Sequence, residues 1–387
     1  MKRILRVGMI GGGADSLIGE VHRMAIRLTG RMELVCGAFG NTRQKSAESG
    51  EAIGLPANRV YGAYRDLLRK EAQQDDDTRP DFIAIVTPNN MHYPSTMAAL
   101  DAGFHVLCEA PMTTCMDEAL NLKRKLIDKK LEFALTFTYS AYPMVQQMRT
   151  LVAQGAVGNI RKVIVNYPQE WLTTRLETAG NKQALWRTDP RRAGPGGSLV
   201  DIGTHCAHLA TYVSGLTIKE VMADARAFIA GRPVDDDCTA LIHFTNGAHG
   251  LIWSSQICIG QTNGLQIAVF GDKGSLAWRL ADPNKLTLHS LTDPTRVYEI
   301  GGPGMVETEK IPPPFPRGQA ECYLSALTNI YKAFADRILN PPKKGPISPD
   351  YPSVDDGIAA MAFVDAVARN IKGDPTAKWT PLPSTEI

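Results

Sequence analysis

Apolar and polar positions follow two rhythms along this chain, and the change from one to the other divides it. In the first third, short continuous apolar runs ("LRVGMI", "MELVCGAF", "DFIAIV", "FHVLC") read as buried strands. Between them lie stretches of helical periodicity: "IGEVHRMAIRLTG" ending at Gly30, "RQKSAESGEAIG", "AYRDLLRKEA", "MHYPSTMAALDAG" and "CMDEALNLKRKLIDKK". Thr114 followed by Asp117 predicts a capping box at the start of the last one. Strands alternating with helices predict a parallel sheet covered on both faces, in a first domain spanning residues 1–140. From residue 160 the runs lengthen and take β character ("RKVIVNYPQE", "CTALIHF", "AHGLIWSSQICI", "LQIAVFG") around one helix at 196–213. That texture predicts a second, α+β domain over residues 141–387. Residues 281–317, rich in Pro, Gly and Thr, read as loops, and helical patterns follow at 318–338 and 352–371.

Composition narrows the class. The chain has 387 residues and is 44% hydrophobic, more than one ordinary core requires. Charged residues are 21% of it and the net charge is only +2, which argues against nucleic acid or an anionic membrane surface as partner. No run approaches the roughly 18 apolar residues of a membrane span. Seven cysteines with no CxxC pair, several inside apolar runs, suit a reducing compartment. The apolar stretch of "MKRILRVGMIGGG" is broken by glycine with no cleavage site after it, so it reads as a first strand. A cytoplasmic location is the expectation.

The first chemical motif is "GMIGGGADSLIGEVH", where a strand runs through a glycine cluster into a helix. Gly11 and Gly13 supply the G-x-G of a dinucleotide fingerprint, one for the tight turn and one for close approach of pyrophosphate to a helix N-terminus. The third glycine of the usual spacing falls at Ser16, with Gly19 three residues later, so the loop is expanded. Where an acidic residue usually holds the ribose after the second strand, this chain has "FGNTRQK". Asn41 can bond a ribose and Arg43 or Lys45 a 2′-phosphate, so NAD and NADP both stay open. In "VTPNNMH", Thr87 and Asn89 stand at the carboxyl end of a strand, where open α/β sheets bind ligands. "VLCEAPMTT" is another strand end, projected outward by Pro111.

In "GGSLVDIGTH" a carboxylate and an imidazole are four residues apart. At about 100° per residue, Asp201, His205, His208 and Tyr212 share one helical stripe, while Leu199, Ile202, Cys206, Leu209 and Val213 form the packing face. The polar stripe must face a partner, a cleft or water, because an unpaired buried carboxylate costs too much. Asp201, His205 and His208 do not complete a metal-ligand set, and no metal is expected. No Ser or Cys carries a nucleophile signature such as G-x-S-x-G. An acid–base pair explains the arrangement with least addition.

In this order, "IGGG…IGEVH", "TPNNMH", "CEAP", "WRTDPRRAGPGGSLVDIGTH" and "PSVDDGIAAM" resemble the Gfo/Idh/MocA family across nearly the whole chain. The resemblance implies an α/β fold with an N-terminal Rossmann dinucleotide-binding domain. It also implies a C-terminal α+β domain with a large open, mainly antiparallel sheet, and homo-oligomers (dimer or tetramer) formed through that sheet. The implied cofactor is NAD or NADP, NAD being favoured, with contacts extending to Ile18, Pro88, His92 and Glu109 within these motifs. It assigns His205 to exchange of a substrate hydroxyl proton and Asp201 to orienting it. One departure stands out: the family's Glu-Lys-Pro is here Glu109, Ala110, Pro111. In the family that lysine holds the substrate and assists the proton relay, and such assistance is worth about two to four decades in rate. Attenuated turnover is therefore the expectation, whether Ala110 is a deliberate, inactivating substitution, the favoured reading, or belongs to a natural member whose remaining acid–base groups suffice.

The expected substrate is a sugar, glycoside or inositol whose secondary hydroxyl is oxidised to a ketone by hydride transfer. The stretch 170–190 reads as an irregular loop beside the site, in which Trp171 and Trp186 stack on a sugar ring and Lys182 or Arg187 bonds its hydroxyls or an acidic group. Tyr139, Tyr142 and His208 are further pocket candidates. Two alternatives follow from the same motifs: a redox-assisted glycosidase that regenerates tightly held NAD, and a non-catalytic dinucleotide-binding or regulatory protein, which the missing lysine keeps open.

Overall fold

The buried run Phe82–Val86 is the centre of the first sheet, and its position explains why the strand is apolar without alternation: helices cover both of its faces. In this computed structural model, residues 3–305, 319, 322–342, 349–373 and 378–386 are described. They divide into two units, one drawn from Met1–Thr136 and Leu327–Ile358, the other from Phe137–Ala326 and Ala359–Glu386.

The first unit runs β1 (Leu5–Gly11), α1 (Leu17–Leu28), β2 (Met32–Ala38), α2 (Arg43–Ile53), α3 (Tyr64–Glu71), β3 (Phe82–Val86), α4 (His92–Asp101), β4 (His105–Cys108), α5 (Met116–Lys129) and β5 (Phe133–Leu135). The five strands lie in the order β2-β1-β3-β4-β5, and every pairing is parallel. Strand order reverses between β1 and β3, the crevice where such sheets bind ligands. The predicted capping box differs in detail. Cys115 is the N-cap of α5, and the Thr114 amide and hydroxyl both bond Glu118, each at 3.0 Å, one residue beyond the expected Asp117.

The second unit contains α6 (Pro143–Ala153), β6 (Ile160–Pro168), α7 (Lys182–Arg187), α8 (Pro190–Ala193), a π-helical turn (Leu199–Gly203), α9 (Thr204–Ser214) and β7 (Ile218–Arg226). It continues through β8 (Asp237–Phe244), β9 (His249–Ser255), β10 (Gln266–Gly271), β11 (Gly274–Arg279), β12 (Lys285–Ser290) and β13 (Arg296–Glu299). The helices α10 (Tyr323–Leu339) and α11 (Val354–Lys372) are divided between the units, and β14 (Thr380–Pro381) closes the order. Nine strands form one sheet, β13-β12-β11-β10-β6-β9-β8-β7-β14, antiparallel throughout except between β6 and β9. α6 and α9 cover one face, against the buried side chains of Val163, Val165, Ile267, Val269 and Leu276.

Three expectations are corrected here. The stretch 281–317 is not all loop: β12 and β13 fall within it, held by cross-strand pairing that their Thr- and Gly-rich surroundings conceal, while residues 306–317 lie outside the described part. The segment 170–190 is not wholly irregular, because Asn181 caps α7 by accepting from the Gln183 and Ala184 amides. The single helix at 196–213 is instead a π turn leading into α9.

Candidate active site

In the first unit the glycine loop is a cradle that side chains would fill. Gly11 adopts φ +80°, and a Cβ there would lie 2.2 Å from the Val86 carbonyl oxygen. Ser16 is the N-cap of α1, its hydroxyl accepting from the Gly19 amide at 3.1 Å, and a Cβ on Gly19 would stand 2.6 Å from Gly12 Cα. Gly19 therefore performs the close helix–strand packing of the third fingerprint glycine, three residues later than the usual spacing. Arg23, buried on α1, donates to the carbonyls of Gly12 and Gly13 and fixes the loop from beneath. Ile18 is half-buried at the second position of α1. Asn41 and Arg43 are exposed beside Thr42, which caps α2.

At the end of β3, Thr87 and Pro88 are half-buried and Asn89 is buried. Thr87 Oγ1 is a buried hydroxyl with no hydrogen-bond partner among the described residues. An orphaned hydroxyl above a cradle closed to side chains is what a bound dinucleotide would satisfy, so these residues fit one. His92 does not line the cradle as expected. Its ring is 1% exposed, with Nδ1 2.7 Å from the Pro111 oxygen and Nε2 2.8 Å from the Thr87 oxygen, and it braces the two strand ends together.

Glu109 follows β4, and its Oε1 lies 2.6 Å from His22 Nε2, while His22 Nδ1 lies 2.7 Å from the Tyr331 hydroxyl. Burial pushes the Glu109 pKa up, but the hydrogen bond and charge of His22 outweigh it and hold the carboxyl below its ordinary range. Burial first, and then the Glu109 charge, push the Tyr331 phenol well up, so it remains a donor. Glu109 Oε1 is thus engaged by His22, on a side chain that is 16% exposed. Ala110 beside it is half-buried and joined to Pro111 by a cis peptide.

In the second unit, Asp235 gathers the donors that start the candidate helix: the Gly197 amide at 2.8 Å, the Leu199 amide at 2.8 Å and the Ser198 hydroxyl at 2.7 Å. The "GG" of this motif has a steric cause, since a Cβ on Gly197 would stand 2.1 Å from the Asp235 carbonyl oxygen. Asp201 lies in the π turn, where Arg187 Nε donates to its Oδ1 at 3.0 Å and Gln256 Nε2 to its Oδ2 at 2.7 Å. His205, half-buried on α9, has its ring edge-on to Phe137 (5.3 Å) and Tyr139 (5.2 Å).

Tyr139 is buried and bonds Tyr167 through its hydroxyl, so it backs the imidazole rather than opening on a pocket. Burial raises its pKa to about 12. Tyr142 is likewise buried, tilted against Trp278. His208, expected at the substrate, is also buried: it stacks on Phe137 at 4.3 Å, because α9 packs against α6 and β6 on that side.

Arg187 is the hub of the adjoining wall. Its guanidinium lies 4.1 Å from the Trp186 ring centroid and 5.8 Å from that of Trp171, and Nη1 donates to Gln183 Oε1 at 2.6 Å. The Trp186 indole donates to the same oxygen at 3.1 Å. Lys182 is exposed at the start of α7. Sequence reasoning missed His22, Gln183, Asp235 and Gln256. His22 sits inside the quoted "IGEVH", but nothing local signals its partner 87 residues away.

Residues 5–137 match an oxidoreductase family with an NAD-binding Rossmann fold, and residues 145–277 match the GFO/IDH/MocA C-terminal domain. The chain belongs to the GFO/IDH/MocA family. Within it, the chain is 31% identical over 379 residues to the uncharacterized oxidoreductase YfiI of Bacillus subtilis, covering 95% of this chain and 94% of that one. It is 26% identical to levoglucosan dehydrogenase of Pseudarthrobacter phenanthrenivorans, covering 75% and 77%. An inositol dehydrogenase homolog from Azotobacter vinelandii, solved with NADH and myo-inositol, superposes with a TM-score of 0.89 at 28% identity, covering 98% of both chains. As a GFO/IDH/MocA protein it is of the oxidoreductase class, on a Rossmann sheet joined to a mainly antiparallel one. Among the described residues no helix is long and apolar enough to cross a membrane, and no group of three or more His, Cys, Asp or Glu is placed to hold a metal ion. All seven cysteines are free.

Proposed function

We propose that this GFO/IDH/MocA protein is an NAD(P)-dependent dehydrogenase that oxidises a secondary hydroxyl of a sugar, glycoside or inositol to a ketone. The observation that carries the reading is a carboxylate, Asp201, held from both sides by Arg187 and Gln256 four residues before the half-buried imidazole of His205, with two indoles against the Arg187 guanidinium. When bound, the nicotinamide supplies the carbon that accepts hydride. Everything else falls to the chain. Loss of hydride from a carbinol requires loss of the hydroxyl proton, and histidine is suited to take it near neutral pH. Asp201 orients the reacting polyol, with Trp171 and Trp186 as its apolar platform. Gly11, Gly13, Ile18, Thr87, Pro88 and Asn89 would hold the dinucleotide, and Asn41 or Arg43 its ribose end. The relatives that act on levoglucosan and that were solved with myo-inositol support a polyol substrate.

Ala110 favours one second reading, a protein that binds dinucleotide without turnover, since a methyl group can neither hold a hydroxyl nor pass a proton. Native mass spectrometry for bound nucleotide, followed by a polyol and glycoside panel read by nicotinamide absorbance, separates the two. Glycoside cleavage without net cofactor reduction would indicate the redox-assisted glycosidase. Retention of neither NAD nor NADP would overturn the leading reading. The same native spectra report the subunit number, which we propose to be two or four.

A further inference from the structure

We propose that Arg187 and Asp201 together form the specificity element of this site: a charge-neutral donor–acceptor pair that reads two neighbouring hydroxyls of an uncharged polyol and selects against its acidic counterpart. The inference rests on the polyol reading above and narrows its substrate class.

A guanidinium carries five N–H donors. In Arg187, Nε is committed to Asp201 and Nη1 to Gln183, whereas Nη2 has no hydrogen bond among the described residues. The side chain is 23% exposed, and the nitrogen left over is the one whose donors the protein does not use among the described residues. Asp201 mirrors this. Its two oxygens each accept one bond, from Arg187 and Gln256, leaving about two of its four lone-pair positions open on a side chain 21% exposed. A free donor thus stands beside a free acceptor. Two adjacent hydroxyls match that pattern, one accepting from Nη2 and the other donating to the carboxylate.

Both groups are held before any ligand arrives. The two indoles flank the guanidinium. Gln256 is 1% exposed, its backbone amide donating to the Asp236 backbone oxygen at 2.8 Å and its backbone carbonyl accepting from the Leu172 amide at 3.0 Å. Such preorganisation lowers the entropy cost of binding. The charge argument then decides the class. An anion-binding arginine has its charge available, but that of Arg187 is neutralised by Asp201. Arg191 is likewise paired with Asp189, and buried Arg232 with Asp236 and Glu177. A ligand carboxylate or phosphate placed on Nη2 would meet the Asp201 charge at close range.

The test uses the full-length protein with D-glucose and D-glucuronate, which share a ring and differ in one carboxylate. Binding is read by tryptophan fluorescence, independent of turnover, with Trp186→Phe locating the signal. Glucose is expected to bind at least about tenfold more tightly than glucuronate. Asp201→Asn, leaving the Arg187 charge uncompensated, reverses that order. Arg187→Met, leaving the Asp201 charge uncompensated, weakens both ligands and glucuronate more, and it serves as the second probe if the first variant unfolds. Equal affinities in the wild type, no change of preference in either variant, or no binding of either sugar overturns the assignment. Nucleotide retention, measured in parallel, decides the dehydrogenase reading separately: lost preference with nucleotide retained removes only the specificity element.

Discussion

His22 Nε2 and Glu109 Oε1 stand 2.6 Å apart, joining the dinucleotide-binding helix α1 to the end of β4 next to Ala110. Tyr331 on α10 completes the chain from the other ring nitrogen. Glu109→Gln keeps the size but loses the charge-assisted bond, and is expected to cost about 1.5–3 kcal/mol in chemical denaturation at neutral pH. The pH dependence has a definite sign. The folded pKa of Glu109 lies below its ordinary 4.5, so its contribution is complete above pH 4.5 and fades as pH falls through the lowered value. Acid titration of stability should therefore be shallower in Glu109→Gln than in the wild type.

Thr87 provides a test of the cofactor cradle that does not depend on turnover. Its buried hydroxyl lacks a partner among the described residues, so Thr87→Val should leave thermal stability unchanged or slightly raised. If a nucleotide satisfies that hydroxyl, the same change weakens NADH binding by about five- to tenfold in fluorescence titration. Unaltered affinity would place the nucleotide elsewhere.

Ala110 is half-buried, which leaves a longer side chain an exit from the strand end. Ala110→Lys is expected to raise kcat on a turned-over polyol by about two to four decades, the usual worth of acid–base assistance. No gain would mean that His205 and Asp201 suffice alone.

His205→Asn keeps a polar side chain on α9 but removes the proton acceptor. Turnover should fall by about two to four decades with NADH affinity unchanged, as steady-state kinetics and fluorescence titration would show. A parallel loss of nucleotide binding would point to a structural role.

Gly197→Ala forces a methyl group against the Asp235 backbone, where a Cβ has 2.1 Å of room. Destabilisation of about 1–3 kcal/mol is expected from such overpacking, with a larger fractional loss of polyol turnover than of nucleotide binding, because the displaced segment carries Asp201. Thermal unfolding and the two binding assays separate these effects.

The order of elements in the first unit was determined by sequence alone, because parallel strands buried on both faces must be continuous apolar runs and the glycine loop must be glycine. The placement of a carboxylate and an imidazole at the start of one helix was also written locally. Tertiary structure decided which way they look. The regular helical stripe joined His208 to His205, yet packing against Phe137 buries His208, and a π turn interrupts the assumed periodicity at Asp201 itself. The strands β12 and β13 were hidden because a sheet is stabilised by partners distant in sequence. For the same reason the residues that hold Asp201, Arg187 from 14 positions before and Gln256 from 55 after, became visible only once the chain had folded.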